Sequence, residues 1–382
     1  MFLILRSFRF IFRQVSPFRF IGPGVTLAGL AALAFVLVTG RVDFSKFDLP
    51  LDADAIEAAA DLARSPGSNL APLGEENRPR ARSTEADAVA FQPVRLDRNA
   101  ARPNERIRIA TFNIQRFGEK KSGNADVMRQ LARIVASFDL VAIQEVQSPQ
   151  AMPVARLVDL INRSGGRYEA SVSEPIGRSA YREQYAFVWD ATRVRMIPDS
   201  AYVVRDDSNR MHRPPMVASF ETRITPVPGR RPFRFTLINA HADPDLVSPN
   251  GESNEMDVLD DVFVRVREYE YQTRGIVNVI LLGDLNVSTA NLGELGQLPG
   301  MLAVVGTAKT NTLGTKTYDH ILLDQNVTTE YTGVFGVVDY QRDFGLTLEQ
   351  ALMVSDHRPV WAEFSASEIP PVASATRESS IR

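Results

Sequence analysis

The sequence predicts an α/β fold: two β-sheets packed face to face with helices outside them. Three observations carry this. Short runs rich in β-branched and aromatic residues recur at 107–114, 140–146, 185–189, 216–222, 233–240, 277–282, 318–323 and 359–364. Longer stretches with helical spacing, 127–138 and 257–271, fall between the strands and not in a separate block. Several strand runs also end in polar residues, as expected where strand ends project side chains into a cleft. Many strands with few helices in one chain favour two packed sheets, an α/β sandwich. No internal repeat is visible in the sequence order.

The first forty residues stand apart. Arg6, Arg9, Arg13 and Arg19 are the only charges before an uncharged stretch at 20–40, whose centre (25–38) reads VTLAGLAALAFVLV. About twenty apolar residues at ~1.5 Å each cross a hydrocarbon core. The arginines before the span place the N-terminus in the cytoplasm and residues 41–382 outside. A cleaved signal peptide competes, but Ala32-x-Ala34 lies inside the apolar run with Phe35 to Val38 still to come. One uncleaved transmembrane helix is the expectation. Residues 41–105 are rich in Ala, Asp, Glu, Arg and Pro, with a single short helix candidate at 54–63. The remainder buries too little apolar area to offset its ordering entropy, so it reads as a flexible linker. Residues 367–382 read as a loose tail after the domain at 106–366.

Composition narrows the chemistry. The chain has 382 residues, formal net charge −3 and no cysteine, which removes disulfides, thiol catalysis and cysteine-ligated zinc. Residues 106–366 hold 28 Lys and Arg against 32 Asp and Glu, a net charge of −4. Proteins that live on non-specific phosphate contacts are usually basic. A metal-dependent site differs, since it needs carboxylates and the cation supplies positive charge locally.

Five strand ends concentrate functional groups: Thr111-Phe112-Asn113, Gln144-Glu145, Asn239-Ala240-His241, Gly283-Asp284-Leu285-Asn286 and Ser355-Asp356-His357. Each alone has a bland explanation, a turn or a cap. Together they bring carboxylates, amides and histidines to the ends of separate strands, which turn chemistry does not explain. The ordered motifs TFNIQRFG (111–118), IQEV (143–146), YREQY (181–185), NAHADP (239–244), LLGDLN (281–286), TYDHI (317–321) and SDHRPV (355–360) resemble the endonuclease/exonuclease/phosphatase superfamily. The stretch SEPIGRSAYREQYAFVWD (173–190) is most similar to its DNase I-like branch.

That resemblance implies a four-layered α/β sandwich of two packed sheets flanked by helices, here preceded by the transmembrane helix. It implies a metal-dependent phosphodiester hydrolase using Mg²⁺, or Mn²⁺, or Ca²⁺ in a looser site, because the donors are hard oxygens. Matched by motif, Asn113, Glu145, Asp284, Asn286 and Asp356 are the metal and phosphate residues. His241 and His357 are the catalytic histidines, with Glu183 and Asp319 as their carboxylate partners. Tyr181 matches a residue that packs on a nucleic-acid sugar, and Arg213 one that reaches a phosphate. An imidazole titrates near neutral pH, so it suits either deprotonating water or protonating the leaving oxygen. His320 should point to the opposite strand face, and His212 should be solvated in a loop. The chain departs from the family at Gln147, where an arginine enters the minor groove, and at Gln115, which replaces another basic residue beside Arg116.

The expected activity is a membrane-anchored DNase I-like endonuclease acting on DNA. Alternatives are RNA as substrate, a phospholipid or inositol-phosphate phosphoesterase, and a non-catalytic membrane-tethered binding module. No protein partner is evident, and a monomer is expected. A reporter active only outside the cytoplasm, fused after Arg382, should work in the membrane fraction. Recovery of all activity in the soluble extracytoplasmic fraction would instead mean that the N-terminal segment is cleaved.

Overall fold

Side chains alternate along a strand, so each strand divides its residues between two layers. In the computed structural model, residue 96 and residues 102–148, 150–178, 182–223, 228–247 and 254–369 are described. All lie in the compact unit Asp87–Arg382. Strand β1 (Arg106–Gly118) shows the division plainly. Ile107 and Ile109 enter one buried cluster, while Ala110, Phe112 and Ile114 enter another.

The strands that follow are β2 (Leu140–Gln147), β3 (Tyr168–Val172), β4 (Gln184–Asp190), β5 (Val194–Met196), β6 (Tyr202–Val203), β7 (Met216–Thr222) and β8 (Arg231–Pro232). The second half adds β9 (Arg234–His241), β10 (Asn278–Asp284), β11 (Met301–Ala303), β12 (Asp319–Asp324), β13 (Tyr331–Val337), β14 (Val360–Ser365) and β15 (Ser367–Glu368). A six-stranded sheet has the order β13-β14-β1-β2-β4-β3. A seven-stranded sheet has the order β11-β12-β10-β9-β7-β5, with β6 also on β7, and β15 pairs with β8. Both large sheets are mixed: β1 is parallel to β2 and antiparallel to β14, and β10 is parallel to β9 and antiparallel to β12.

Between the sheets lie Ile109, Ala142, Phe187, Phe220, Leu237, Ile280, Ile321 and Ala362, all fully buried. The outer face of the first sheet is covered by helices α1 (Glu119–Ser122), α2 (Ala125–Val135), α3 (Met152–Arg163), α5 (Tyr340–Phe344) and α6 (Leu348–Val354). That of the second is covered by α4 (Met256–Arg274). The result is four layers, as the strand count and the resemblance imply. Helix starts follow local chemistry: Asn124 accepts from the backbone of Asp126 and Val127, and Thr347 with Gln350 forms a capping box before α6.

Three boundaries differ from the sequence reading. The tail is not loose from Ser367: Glu368 is buried, binds Arg231, and accepts from Asn278 Nδ2 at 2.8 Å. The linker is already docked by Arg102, which bridges Asp139 at 2.8 Å and Asp190 at 2.9 Å, and Leu96 is buried in the first helical layer. Helix α2 stops at Val135, where the chain turns into the buried Phe138. The expected membrane span and the short linker helix lie outside the described residues. Among the described residues, no helix is long and apolar enough to cross a membrane.

Gly283 sits where β10 passes closest to β9. Its φ is +150°, and a Cβ there would lie 1.8 Å from the Ala240 carbonyl oxygen. Gly283→Ala should lower unfolding free energy by at least ~3 kcal/mol through overpacking and backbone strain. Urea denaturation measures this, and an unchanged midpoint would contradict so close an approach.

Candidate active site

Parallel neighbours end at the same sheet edge, so their last inward residues gather at one rim of the core. Asn113 lies opposite Gln144 on β1 and β2, and His241 opposite Asp284 on β9 and β10. Beneath this rim is a fully buried polar layer. Gln144 donates to Asn239 Oδ1 at 2.6 Å and to Thr111 Oγ1 at 3.0 Å. Asn239 Nδ2 in turn donates to the carbonyls of Ile143 and Ala186, both at 3.2 Å. The layer joins the two sheets directly below the site.

Asp284 is the hub above it, with 1% of its surface exposed. Its Oδ2 accepts from Asn113 Nδ2 at 2.9 Å, and lies 3.4 Å from His357 Nε2 and 3.7 Å from His241 Nε2. Its Oδ1 accepts from the Asn286 amide N–H at 3.0 Å. The Asn113 amide also donates to Glu145 Oε1 at 2.9 Å. Glu145 reaches this point through a break in strand pairing. It has φ +60°, and the β1–β2 and β2–β4 registers both shift there. Arg116 opposite has φ +49°, and its N–H donates to Glu145 Oε2 at 2.8 Å. Two non-glycine residues in the left-handed region cost of order 1 kcal/mol each or more, a strain concentrated at the rim.

Each imidazole turns its other nitrogen to a carboxylate. His241 Nδ1 is 3.0 Å from Glu183 Oε2, and His357 Nδ1 is 3.0 Å from Asp319 Oδ2. Such a partner fixes the tautomer and leaves Nε2 for chemistry. Burial opposes ionisation of Glu183, yet the His241 hydrogen bond and charge, then Arg213 and Gln147, hold its carboxyl below the usual range. Burial likewise opposes the His357 imidazolium, but the charges of Asp319 and Asp284, the Asp319 hydrogen bond and Asp356 push its pKa up to about 11. A cation beside Asp284 would withdraw part of that support.

Both dyads are braced from behind. The His241 N–H donates to the Tyr185 hydroxyl at 3.0 Å, and the Tyr340 hydroxyl donates to the His357 carbonyl at 2.6 Å. Ser355 Oγ accepts from the His357 N–H at 3.1 Å and donates to the Asn113 carbonyl at 2.7 Å. The sequence gives no sign of Tyr185 and Tyr340, because a buried tyrosine reads as ordinary core. Nor does it single out Lys121, one of two adjacent lysines. Burial lowers its pKa to about 8 against the pull of Asp356 and Glu145, and its Nζ donates to the Val354 carbonyl at 2.9 Å.

The remaining expected residues fall out differently. Asp356 approaches from the His357 side, its Oδ1 3.9 Å from His357 Nε2, while Gln115 Nε2 donates to its Oδ2 at 2.7 Å. Asn286 spends its side-chain amide on the Ala242 carbonyl at 2.9 Å, so its side chain holds the end of β9 while its backbone N–H donates to Asp284. Arg213 braces the His241 dyad. Its side chain is 10% exposed, it lies 3.7 Å from Glu183, and it donates to the His241 carbonyl at 3.2 Å. His212 lies in a loop as expected but is half-buried, 3.3 Å from Asp243 with its N–H donating to Glu255. His320 is fully buried on the opposite strand face, 2.8 Å from the Val287 carbonyl, as strand alternation requires. Gln147 leans on Glu183 through its side chain. Tyr181 lies outside the described residues.

The residues present fit a hard divalent cation. Asn113 Oδ1 is buried without a hydrogen-bond partner, which costs about 1–3 kcal/mol unless something binds it. Two carboxylates, Glu145 and Asp284, already face the same amide. Asp284, Asp319 and His357 also bring ligand atoms within 4.8 Å of one another, but Asp319 and His357 are engaged with each other. The oxygen set of Asn113, Glu145 and Asp284 is therefore the better match.

Residues 110–357 match the Endonuclease/Exonuclease/phosphatase family. The chain belongs to that family. It falls in the DNase I-like branch: it is 32% identical over 275 residues to Deoxyribonuclease-1 of Sus scrofa, covering 66% of this chain and 90% of that protein. It is 30% identical over 274 residues to Deoxyribonuclease-1-like 1 of Homo sapiens, covering 69% and 85%. This endonuclease/exonuclease/phosphatase family member is accordingly a hydrolase of phosphodiester bonds.

His241→Ala and His357→Ala should each lower turnover by at least ~10²-fold, with the double variant far less than multiplicatively worse. His320→Ala should lose stability, because it empties a buried site, while turnover per folded molecule stays near wild type. Steady-state rates normalised to folded protein decide it. A ~10²-fold loss of turnover at His320 would mean that the catalytic pair is misassigned.

Proposed function

We propose that the protein is a divalent-metal-dependent endonuclease acting on DNA. The observation that carries this reading is the pair of carboxylate-backed imidazoles whose Nε2 atoms both face Asp284, beside the unpartnered Asn113 oxygen. Deoxyribonucleases among its relatives supply the substrate class.

In this reading Asn113, Glu145 and Asp284 hold Mg²⁺ or Mn²⁺, with Asp356 at the edge of the set. A cation there stabilises negative charge on the non-bridging phosphate oxygens. One imidazole takes a proton from the attacking water and the other gives one to the leaving oxygen, each at Nε2. Glu183 and Asp319 keep both rings oriented, Asp319 also favours the His357 imidazolium, and Arg213 with Gln147 steadies Glu183. Because Gln147 is occupied in this way, groove contact at that position is weaker than an arginine would give. The N-terminal span is proposed to tether this domain to the outer face of a membrane.

The purified chain with Mg²⁺ should nick plasmid DNA faster than it degrades RNA or releases phosphocholine from sphingomyelin. EDTA should abolish the activity and added Mg²⁺ restore it. Mg²⁺ should also raise Tm in the wild type but not in Asn113→Ala, since binding to the folded state alone stabilises it. Faster turnover of sphingomyelin than of either nucleic acid would replace the nuclease reading with a lipid-directed one.

A further inference from the structure

Two of the chain's five lysines, Lys309 and Lys316, border one cleft of about 460 Å³. The cleft adjoins the active site: Asn286, which lines it, donates its backbone N–H to Asp284, and the Tyr318 ring, also in the lining, lies 6.1 Å from that of His357. Hydroxyls from Ser288 and Thr315 complete the polar lining, and no carboxylate is among the described lining residues. This sign is opposite to that of the catalytic centre, where Glu145, Glu183, Asp284, Asp319 and Asp356 crowd together. Neither ammonium has an ion-pair partner among the described residues.

The lysines are held on a rigid support. The Thr310 N–H donates to the Lys316 carbonyl at 2.8 Å, so the two lysines flank the neck of one tight turn. Asn311 pins that turn from inside: its Oδ1 accepts from the N–H groups of Thr315 and Lys316, both at 2.8 Å. The turn is bonded to the segment carrying His357 on both sides of that residue. The Arg358 N–H donates to the Thr310 carbonyl at 2.6 Å, and the Thr312 N–H to the Asp356 carbonyl at 2.7 Å. Thr310 Oγ1 also accepts from the Asp319 N–H at 3.0 Å. The lysine backbone positions are thus fixed relative to both members of the His357 dyad.

We propose that this cleft is a second phosphate subsite, in which Lys309 and Lys316 hold a neighbouring phosphate of the polynucleotide being cut. The inference rests on the nuclease reading and deepens it, by making the substrate a chain of phosphates and not an isolated diester. Two ammonium groups, hydroxyls and an amide without a competing carboxylate match a phosphate. Contacts of this kind position a nucleic acid without reading its sequence, so the subsite favours chain length and not base identity. A single diester or a phosphocholine headgroup has nothing to place there.

The test compares full-length wild type and Lys309→Ala/Lys316→Ala, with Mg²⁺, on single-stranded oligonucleotides from two to six residues. Wild-type kcat/KM should rise with length. The double variant should lose about tenfold on the hexanucleotide, chiefly through KM, and less than about twofold on the dinucleotide. Its slope of log kcat/KM against log salt should be shallower by about 1 per lysine. Lys309→Arg/Lys316→Arg should recover most of the length effect, since charge alone is required. A double variant with the wild-type length dependence and salt slope would overturn the subsite and leave the nuclease reading standing. A wild type that hydrolyses bis-p-nitrophenyl phosphate but neither the oligonucleotides nor plasmid DNA would overturn both.

Discussion

The structure depends on one buried carboxylate. Asp284 is nearly inaccessible, yet it faces two imidazoles and an amide at the junction of two sheets. Burying a carboxylate is costly unless hydrogen bonds and opposite charge meet it. Here the Asn113 amide and the Asn286 N–H donate to it, and both imidazoles stand within 4 Å. Its own position follows from strand alternation along β10 and from the absence of a side chain on Gly283, which lets β10 lie hard against β9. A local backbone requirement thereby fixes the electrostatic centre.

The polar layer of Thr111, Gln144 and Asn239 works at longer range. Each of its hydrogen bonds contributes only about 1 kcal/mol net, whereas a buried amide left unpaired costs more. Sliding one sheet past the other would leave several such groups unpaired at once. The layer thus adds little to total stability but penalises every wrong alignment of the sheets. Because His241 and Asp284 come from one sheet and Asn113 and Glu145 from the other, their spacing is only as exact as that alignment.

Much of this was legible in the sequence. The strand runs at 216–222 and 140–146 carry alternation strong enough to mark both the element and the inward face. Asn113, His241, Asp284 and His357 were visible because each is polar where the apolar pattern ends, and the separation of His320 from that set followed from alternation alone. Pairing His241 with Glu183 came from the resemblance, since the two are 58 positions apart and nothing local joins them. The bulge at Glu145 was not legible, because its left-handed backbone goes with register shifts against both neighbouring strands, which no local residue signals. The bracing role of Arg213 was not legible for a related reason: the carbonyls that hold its guanidinium belong to His241 and Ala242, which only the folded sheet brings near. The Lys309–Lys316 turn reads as an unremarkable polar loop until its bonds to the last strand are seen.

The place of β14 has a consequence in time. This strand, among the last to emerge during translation, inserts between β13 and β1 and pairs with the very first strand of the domain. His357 immediately precedes it. A nascent chain that has not yet reached Ser355 therefore leaves one edge of β1 unpaired and brings only one imidazole to the acidic cluster. Contacts so distant in sequence form late, after the slow closure of a long loop. No partly made molecule holds the whole apparatus, so hydrolysis begins only when the ribosome has delivered His357 and β14.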